Sequence, residues 1–182
     1  MKKLLSVFLA LAMLLSLTAC GGKSTAETTV PTEAPISVEE YPEELLNKII
    51  ENQPVEFMGG TLPLDLTDTS EDGLWTVKYY TGLENADMIT EAAVYEPMIG
   101  SIAFSMVMVR VAPDAGSKEV AEAMKAGIDT RKWICVEADD LLVAGYADMV
   151  MLIMVASDSG MTAQSFVDAF QTVVGSELDF VI

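Results

Sequence analysis

The chain has 182 residues, of which 51% are apolar, and its formal charge of −18 arises from 28 acidic and 10 basic residues. This composition suits a folded domain, and the strong negative charge excludes binding to the phosphate backbone of a nucleic acid. The chain has no histidine, the side chain that most often shuttles protons near neutral pH or binds a transition metal, so a non-enzymatic role without a cofactor is favoured.

The first 19 residues have the three-part pattern of a secretory signal peptide. Lys2 and Lys3 give a positive start, residues 4–15 are almost all apolar, and small or weakly polar residues follow up to Ala19. A membrane-spanning helix needs about 20 predominantly apolar residues, so this run is short for one. We therefore predict a cleaved signal peptide over residues 1–19.

The motif Leu17-Thr18-Ala19-Cys20 resembles the lipobox of bacterial lipoproteins. The resemblance implies cleavage after Ala19 and attachment of a diacylglyceryl group to Cys20, which becomes the first residue of the mature chain. Two acyl chains hold a protein stably on a bilayer. The expected location is therefore the extracytoplasmic face of the cell membrane, with the membrane as a partner through the lipid. The alternative is an ordinary signal peptide followed by an incidental cysteine.

The segment after Cys20 is predicted to be a tether. Residues 21–35 are rich in Gly, Ser, Thr, Pro and Ala and cannot form a core, and a flexible chain of this length spans roughly 20 Å. Without the signal peptide the chain keeps 8 basic and 28 acidic residues, a charge of −20, so its surface would be repelled by anionic lipids. We predict residues 20–35 as lipidated cysteine and flexible linker, and residues 36–182 as one globular domain.

The domain is predicted to begin with a helix that ends near Asn52. Ser37–Glu40 suggests a capping box, Pro42 suits the first turn, and apolar residues follow at helical spacing. Residues 53–66 are rich in glycine and proline and predict a loop. A second helix over residues 70–82 is favoured over a strand, although its middle is rich in β-forming residues.

The second half of the domain alternates between paired strands and helices. Strands are predicted over residues 92–96 and 102–111, a helix from Ser117, a hairpin formed by residues 141–144 and 149–156, and a last helix that ends at Gly175. This order, ββαββα after one or two N-terminal helices, predicts an α+β fold. We expect a single two-layer domain with a mainly antiparallel sheet and helices packed on it.

Four local features lie within or beside the region from Gly82 to Gly175. They are Tyr80-Thr81-Gly82-Leu83 before the first strand, Pro97-Met98 before the long strand, a helix closing near Arg131, and Gly145-Tyr146 in the hairpin. With these features the region resembles an uncharacterised family of Gram-positive (clostridial) lipoproteins, domain-of-unknown-function family 4358. The resemblance implies location and fold but no site, and the acidic residues usual in the family's long strand are replaced here by Phe104 and Ser105.

Two groups of side chains are candidate metal ligands. Asp65, Asp68, Glu71 and Asp72 place four carboxylates in one segment, and Ca²⁺ takes 6 to 8 oxygen ligands. The spacing is not that of an EF-hand, so a solvated cap before a helix is the favoured interpretation. Four methionines in apolar strands suggest a Cu(I) thioether site, but packing in the core is favoured. They are Met106, Met108, Met149 and Met151.

Arg110 and Cys135 are the two remaining candidates. Arg110 interrupts an apolar strand and needs a carboxylate or a ligand as partner, or a place at the sheet edge; a structural ion pair or an edge position is favoured. Cys135 has no partner for an intrachain disulfide once Cys20 is acylated. Its apolar neighbours predict a buried, inert thiol rather than a nucleophile.

The sequence therefore favours a lipid-anchored, non-enzymatic module that contacts an envelope protein or a small ligand. Capture of a small solute or cation is the alternative, and a carboxylate-based hydrolase is a third hypothesis. A loop rich in phosphate-binding glycines and the common catalytic motifs are absent from the sequence.

Overall fold

The computed structural model describes residues 38–182, which form four α-helices around a six-stranded sheet. The elements in chain order are α1 (Pro42–Asn52), β1 (Gly59–Pro63), α2 (Glu71–Thr81), β2 (Ile89–Pro97), β3 (Phe104–Val111), α3 (Ser117–Gly127), β4 (Asp140–Tyr146), β5 (Met149–Val155), α4 (Ala163–Val174) and β6 (Phe180–Val181). A short 3₁₀ turn, Ser157–Ser159, follows β5. Within these residues no helix is long and apolar enough to cross a bilayer.

Every pair of neighbouring strands in the sheet is antiparallel, in the order β1-β2-β3-β5-β4-β6. The α+β class with helices packed on an antiparallel sheet is confirmed. Helices cover both faces of the sheet, so the domain has three layers where two were expected. The reason lies in β3 and β5, which are apolar at almost every position and therefore present a hydrophobic surface on each side.

The first face of the sheet packs against α1 and α4. Phe104, Met106 and Met108 of β3 point to this face and form one core with both helices. The helices contribute apolar side chains that recur every three to four residues, as expected for a buried stripe. Those in the core are Leu45, Leu46, Ile49, Phe166, Val167 and Phe170.

The second face packs against α2 and α3. Val107, Val109 and Val111 of β3 point to this side, since successive strand residues alternate between faces. Val77 of α2 and Met124 of α3 complete this second core. The sheet is therefore buried between two separate hydrophobic layers.

Two short edge strands were not predicted. Gly59–Pro63 forms β1 inside a segment that was expected to be a loop, and Phe180–Val181 forms β6. Both glycine and proline are tolerated on an edge strand, because only one side of it must pair. The glycines and prolines that suggested a loop are thus compatible with pairing to β2.

The start of α1 also differs from the prediction. The helix begins at Pro42 with Tyr41 as its N-cap residue, so the proposed capping box at Ser37–Glu40 is wrong. The Glu44 carboxylate accepts a hydrogen bond of 3.3 Å from the Tyr41 backbone N–H instead. The helical assignment of residues 70–82 is confirmed, with Ser70 as the N-cap and Gly82 as the left-handed C-cap of α2.

The two ends of the sheet differ in what they carry. At the near end, Val38 lies beside the turn between β4 and β5 and the last residues of β3. The far end is formed by the loop between β2 and β3, the segment before β4 and the turn after β5. The names near end and far end are used in this sense below.

Candidate functional site

The predicted cleavage and lipidation residues, Ala19 and Cys20, lie outside the described residues, as does the linker up to residue 35. The sites that can be built from geometry are therefore the candidates within residues 38–182.

Arg110 lies in an ion-pair cluster at the near end of the sheet. Its Nε is 2.8 Å from Glu91 Oε2, and its Nη1 is 2.7 Å from Asp148 Oδ2. The same guanidinium donates to the carbonyl oxygens of Val38 (2.8 Å) and Glu40 (2.7 Å). Asp148 also accepts a bond from the Val38 N–H at 2.9 Å. Arg110 therefore fastens the chain to the sheet at the point where the described residues begin.

The environment keeps Arg110 charged. Burial alone would lower the pKa of Arg110, but hydrogen bonds to Glu91 and Asp148 outweigh burial and raise the pKa. Only 15% of the side chain is exposed. All the contacts described above are internal, so the cluster is the structural ion pair that the sequence favoured.

A pocket of about 450 Å³ lies next to this cluster, at the edge formed by β1 and β2. Its lining includes Glu43, Asp65 and Glu91. Glu91 is occupied by Arg110, and Asp65 accepts hydrogen bonds from the N–H and hydroxyl of Thr67 at 2.9 and 2.6 Å. Two of these three carboxylates, Asp65 and Glu91, are thus used in local structure.

The acidic segment before α2 serves mainly to cap local structure. Hydrogen bonds from Thr67 lower the pKa of Asp65, and bonds from Ser70 lower the pKa of Asp68. Ser70 Oγ in turn accepts from the Gly73 N–H at 3.2 Å and caps the helix. Within residues 38–182 no three acidic or cysteine side chains are grouped so that they could hold a metal ion. The structure thus places Asp65 and Asp68 in the capping role.

The four strand methionines lie on the first face of the sheet. All are fully buried in the core that packs against α1 and α4. Met108 and Met151 are direct neighbours on β3 and β5. Their surroundings are apolar side chains, as expected for methionine that fills a core.

Cys135 is exposed, so the prediction of a buried thiol is wrong. The residue lies in the loop before β4 and not in a strand, and its φ of 69° is in the left-handed region. Its neighbour Ile134 is 84% exposed. Ile134 and Cys135 therefore form part of the surface at the far end, whereas Trp133 and Val136 are partly buried against the second core.

Lys132 is a functional candidate that sequence reasoning missed. Only 1% of its side chain is exposed, and its Nζ lies 2.6 Å from Glu96 Oε1. The ammonium also lies 4.7, 5.0 and 5.4 Å from the ring centres of Tyr79, Tyr80 and Trp133. Burial lowers the pKa of Lys132, and Glu96 opposes this. The adjacent tryptophan and the tyrosine pair are visible in the sequence, but their convergence depends on the fold.

Lys132 also donates a hydrogen bond of 3.0 Å to Ser105 Oγ. A serine beside a lysine is the arrangement of some hydrolases, in which the amine acts as the base. Here Ser105 is fully buried on the second face of the sheet, so no substrate can reach its hydroxyl. The Lys132 amine is also held against a carboxylate, which favours the protonated form. The group stabilises the fold and does not form an active site.

Three adjoining pockets cross the far end of the sheet, and we call them together the far-end groove. Their volumes are about 560, 490 and 390 Å³. The largest shares Ile102 and Ser159 with the second and Cys135 and Glu137 with the third. The pockets are therefore continuous from the end of α1 to the loop before β4.

The lining of the far-end groove combines carboxylates and serine hydroxyls with apolar side chains such as Ile102, Val136 and Met161. Its charged side chains are Glu56, Arg131, Glu137, Asp139 and Asp158. Arg131 is paired with Glu137 at 3.0 Å. Ser157 donates two hydrogen bonds of 2.7 Å to Asp139, one from its hydroxyl and one from its N–H. These bonds lower the pKa of Asp139 and keep it ionised.

Large apolar side chains surround the far-end groove. Met58, Met98, Ile99 and Ile134 are 77%, 72%, 57% and 84% exposed. Met58 and Ile134 directly adjoin lining residues in sequence, and Met98 and Ile99 belong to the loop that supplies Ser101 and Ile102. The Met98 N–H donates to the Met58 carbonyl at 2.9 Å, which holds two of these residues together. The far end is thus an acidic cleft with an apolar rim.

Comparisons with protein-family models, with curated proteins and with solved structures found no match for this chain. The resemblance to domain-of-unknown-function family 4358 stays a prediction. The candidate sites therefore rest on the geometry of the chain itself.

Proposed function

We propose that this protein is a lipid-anchored extracytoplasmic module whose role is binding and not catalysis. The observation that carries the proposal is the order of features at the N-terminus: two lysines, an apolar run, small residues and then Cys20. Two acyl chains on Cys20 would hold on the membrane a chain whose own charge repels anionic lipid.

The binding role is supported by the chemistry of the far-end groove. A general acid requires a carboxyl with a raised pKa, whereas the pKa of Asp139 is lowered by Ser157. Glu137 is occupied by Arg131. The lining of carboxylates and hydroxyls is suited to contacting a partner more than to proton transfer. A carboxylate-based hydrolase is accordingly disfavoured.

Metabolic labelling with an alkyne analogue of palmitate tests the anchor. The full chain, expressed in a bacterium that processes lipoproteins, should carry the label and sediment with membranes. Cys20→Ser should lose the label and leave the membrane fraction. Cys135→Ser is the matched control, since it removes the other cysteine of the chain. This variant should keep both the label and the association with membranes. Label on the Cys20→Ser protein would overturn the proposal.

Capture of a small solute or cation is the second candidate function, favoured by the serine hydroxyls and carboxylates of the largest pocket. A ligand that binds the folded state raises the melting temperature by mass action. A thermal-shift screen of the chain from residue 36 against metal ions, sugars and short peptides separates the two roles. A rise with a sugar or metal ion would favour capture.

A further inference from the structure

We propose that the far-end groove binds a cationic polypeptide segment that carries apolar side chains. The inference rests on the proposed function for its setting, because the anchor would display this end beside other envelope proteins. Its test does not depend on the lipid.

Charge complementarity is the first argument for this partner. The groove is lined by four carboxylates and one guanidinium, and that guanidinium is already paired with Glu137. Lys132 adds no surface charge, since its ammonium is buried against Glu96. A basic segment would therefore meet a groove whose net charge is negative, with carboxylates at Glu56, Asp139 and Asp158 that form no ion pair among the described residues.

The apolar rim is the second argument. Exposed apolar residues flanking a cleft mark an interaction surface. Met98 and Ile99 are exposed in the loop that supplies Ser101 and Ile102 to the groove, and Ile134 is exposed between the lining residues Trp133 and Cys135. Methionine adapts to varied partners.

The position of the groove is the third argument. Val38, where the described chain begins, is held at the near end by Arg110 and Asp148. The β3 strand of 8 residues that separates the two ends is about 27 Å long. Among the described residues, Val38–Glu40 is thus held at the end of the sheet opposite the groove. A bilayer is a poorer occupant, because acidic groups in the groove would repel anionic head groups.

The experiment uses the full mature chain, residues 20–182, with Cys20→Ser. Cys135 is then the single cysteine of the chain and lies in the groove. The probe is a short peptide of alternating lysine and leucine, compared with a peptide in which glutamate replaces lysine. The lysine peptide should bind and protect Cys135 from alkylation, and the glutamate peptide should do neither.

Matched variants locate the binding site. The double variant Glu137→Gln and Asp158→Asn should weaken binding by about tenfold, or ~1.4 kcal/mol. Asp87→Asn with Asp114→Asn removes the same charge from exposed positions of the near end and should leave affinity nearly unchanged. Equal weakening by both pairs would mean diffuse attraction to an anionic protein and would overturn the proposal.

The rim is tested separately. Ile99→Ser with Ile134→Ser should weaken binding of the lysine–leucine peptide, whereas Leu62→Ser and Val181→Ser, at exposed positions of β1 and β6, should not. All these positions are exposed, so the melting temperature serves as the check on folding.

A separate experiment measures binding of the unlipidated chain to vesicles of phosphatidylcholine and phosphatidylglycerol. Binding of the unlipidated chain to vesicles that is lost in the rim variant would assign this end to the bilayer and overturn the peptide proposal.

Discussion

At the scale of single residues, the Arg110 guanidinium holds two carboxylates and two backbone carbonyls at the near end. Arg110→Met would leave these groups without their donor in a mostly buried place. Breaking such a pair costs about 3 kcal/mol, and we expect a loss of this order in the free energy of unfolding by urea. The dependence of the free energy of unfolding on urea concentration, the m-value, should not change.

Two further variants separate charge from geometry at this site. Arg110→Lys keeps the charge but cannot reach all four acceptors, so its loss should be intermediate. Lys48→Met removes the exposed pair with Glu40 and should cost less than about 1 kcal/mol. Equal losses in the free energy of unfolding for Lys48→Met and Arg110→Met would contradict the role of Arg110 in holding these groups together.

The second residue-scale prediction concerns Asp139, whose pKa is lowered from 3.8 by hydrogen bonds from Ser157. A carboxyl with a lower pKa in the folded chain stabilises it above pH 3.8, and this contribution is lost as the pH falls through the folded pKa. Ser157→Ala should therefore destabilise the protein at pH 7, and the difference should shrink below pH 3.8. Urea unfolding at a series of pH values from neutral to acid measures this difference in the free energy of unfolding.

Ser159→Ala is the control for that prediction. Ser159 lies in the same turn, but its hydroxyl donates to the Ala156 carbonyl at 2.6 Å and not to a carboxylate. Its effect on stability should not vary in the same way with pH. If the losses of stability in Ser157→Ala and Ser159→Ala varied with pH in the same way, the Asp139 carboxyl would not be the cause of the effect.

At the scale of elements, two helices end in a left-handed glycine but differ in packing. Gly82 ends α2 with φ 79°, and an added Cβ would lie 2.5 Å from Met124 O and Ile128 N. Gly175 ends α4 with φ 69° and has open space around it. Gly175→Ala should cost about 1–2 kcal/mol for the backbone conformation alone. Gly82→Ala should cost at least ~1 kcal/mol more because it also strains the contact with α3. Equal losses in thermal unfolding would show that α2 can move away from α3 without cost.

The elements that could be predicted from the sequence are those with a strong local signal. β3 and β5 are long apolar runs, and α3 and α4 have regular apolar stripes, so burial alone fixes their type. β1 could not be predicted because its pairing with β2 is a tertiary contact of a glycine- and proline-rich segment. The second helical layer follows from the continuous apolar strands, but the pattern does not say which helix covers which face.

The candidate sites show the same limit. The sequence indicated that Arg110 could form a structural ion pair, since a charge within an apolar strand must be neutralised. The identity of its partners depends on the turn that carries Asp148 and on the backbone at Val38. The far-end groove joins residues from four separate segments, and Cys135 reached the surface although its neighbours are apolar. No local sequence pattern predicts that these loops lie next to one another.

At the scale of the whole molecule, the proposed function would place attachment and recognition at opposite ends of the fold. Val38 is held at the near end, and the groove lies at the far end, with β3 and β5, which are buried at every position except Arg110, between them. A partner in the groove would thus not disturb the residues that hold the N-terminal segment. This separation suits a module displayed on a tether.

The attachment predicts where the chain can be shortened. A chain that begins at Ile36 keeps Val38 and Glu40, so its free energy of unfolding should equal that of residues 20–182. A chain that begins at Tyr41 loses the bond to Asp148 and two bonds from Arg110. Because bonds to charged groups contribute about 1.5–3 kcal/mol each when buried, and these are partly exposed, we expect a loss of about 3 kcal/mol.

A double-mutant cycle tests whether that loss passes through Arg110. In the Arg110→Met background the two guanidinium bonds are already gone, so starting the chain at Tyr41 should cost markedly less than in the native background. Urea unfolding of the four proteins gives the coupling free energy, which should exceed about 1 kcal/mol. If the two losses simply add, the segment from Val38 to Glu40 is held by packing and by the Val38–Asp148 bond, and the guanidinium does not fasten the chain to the sheet.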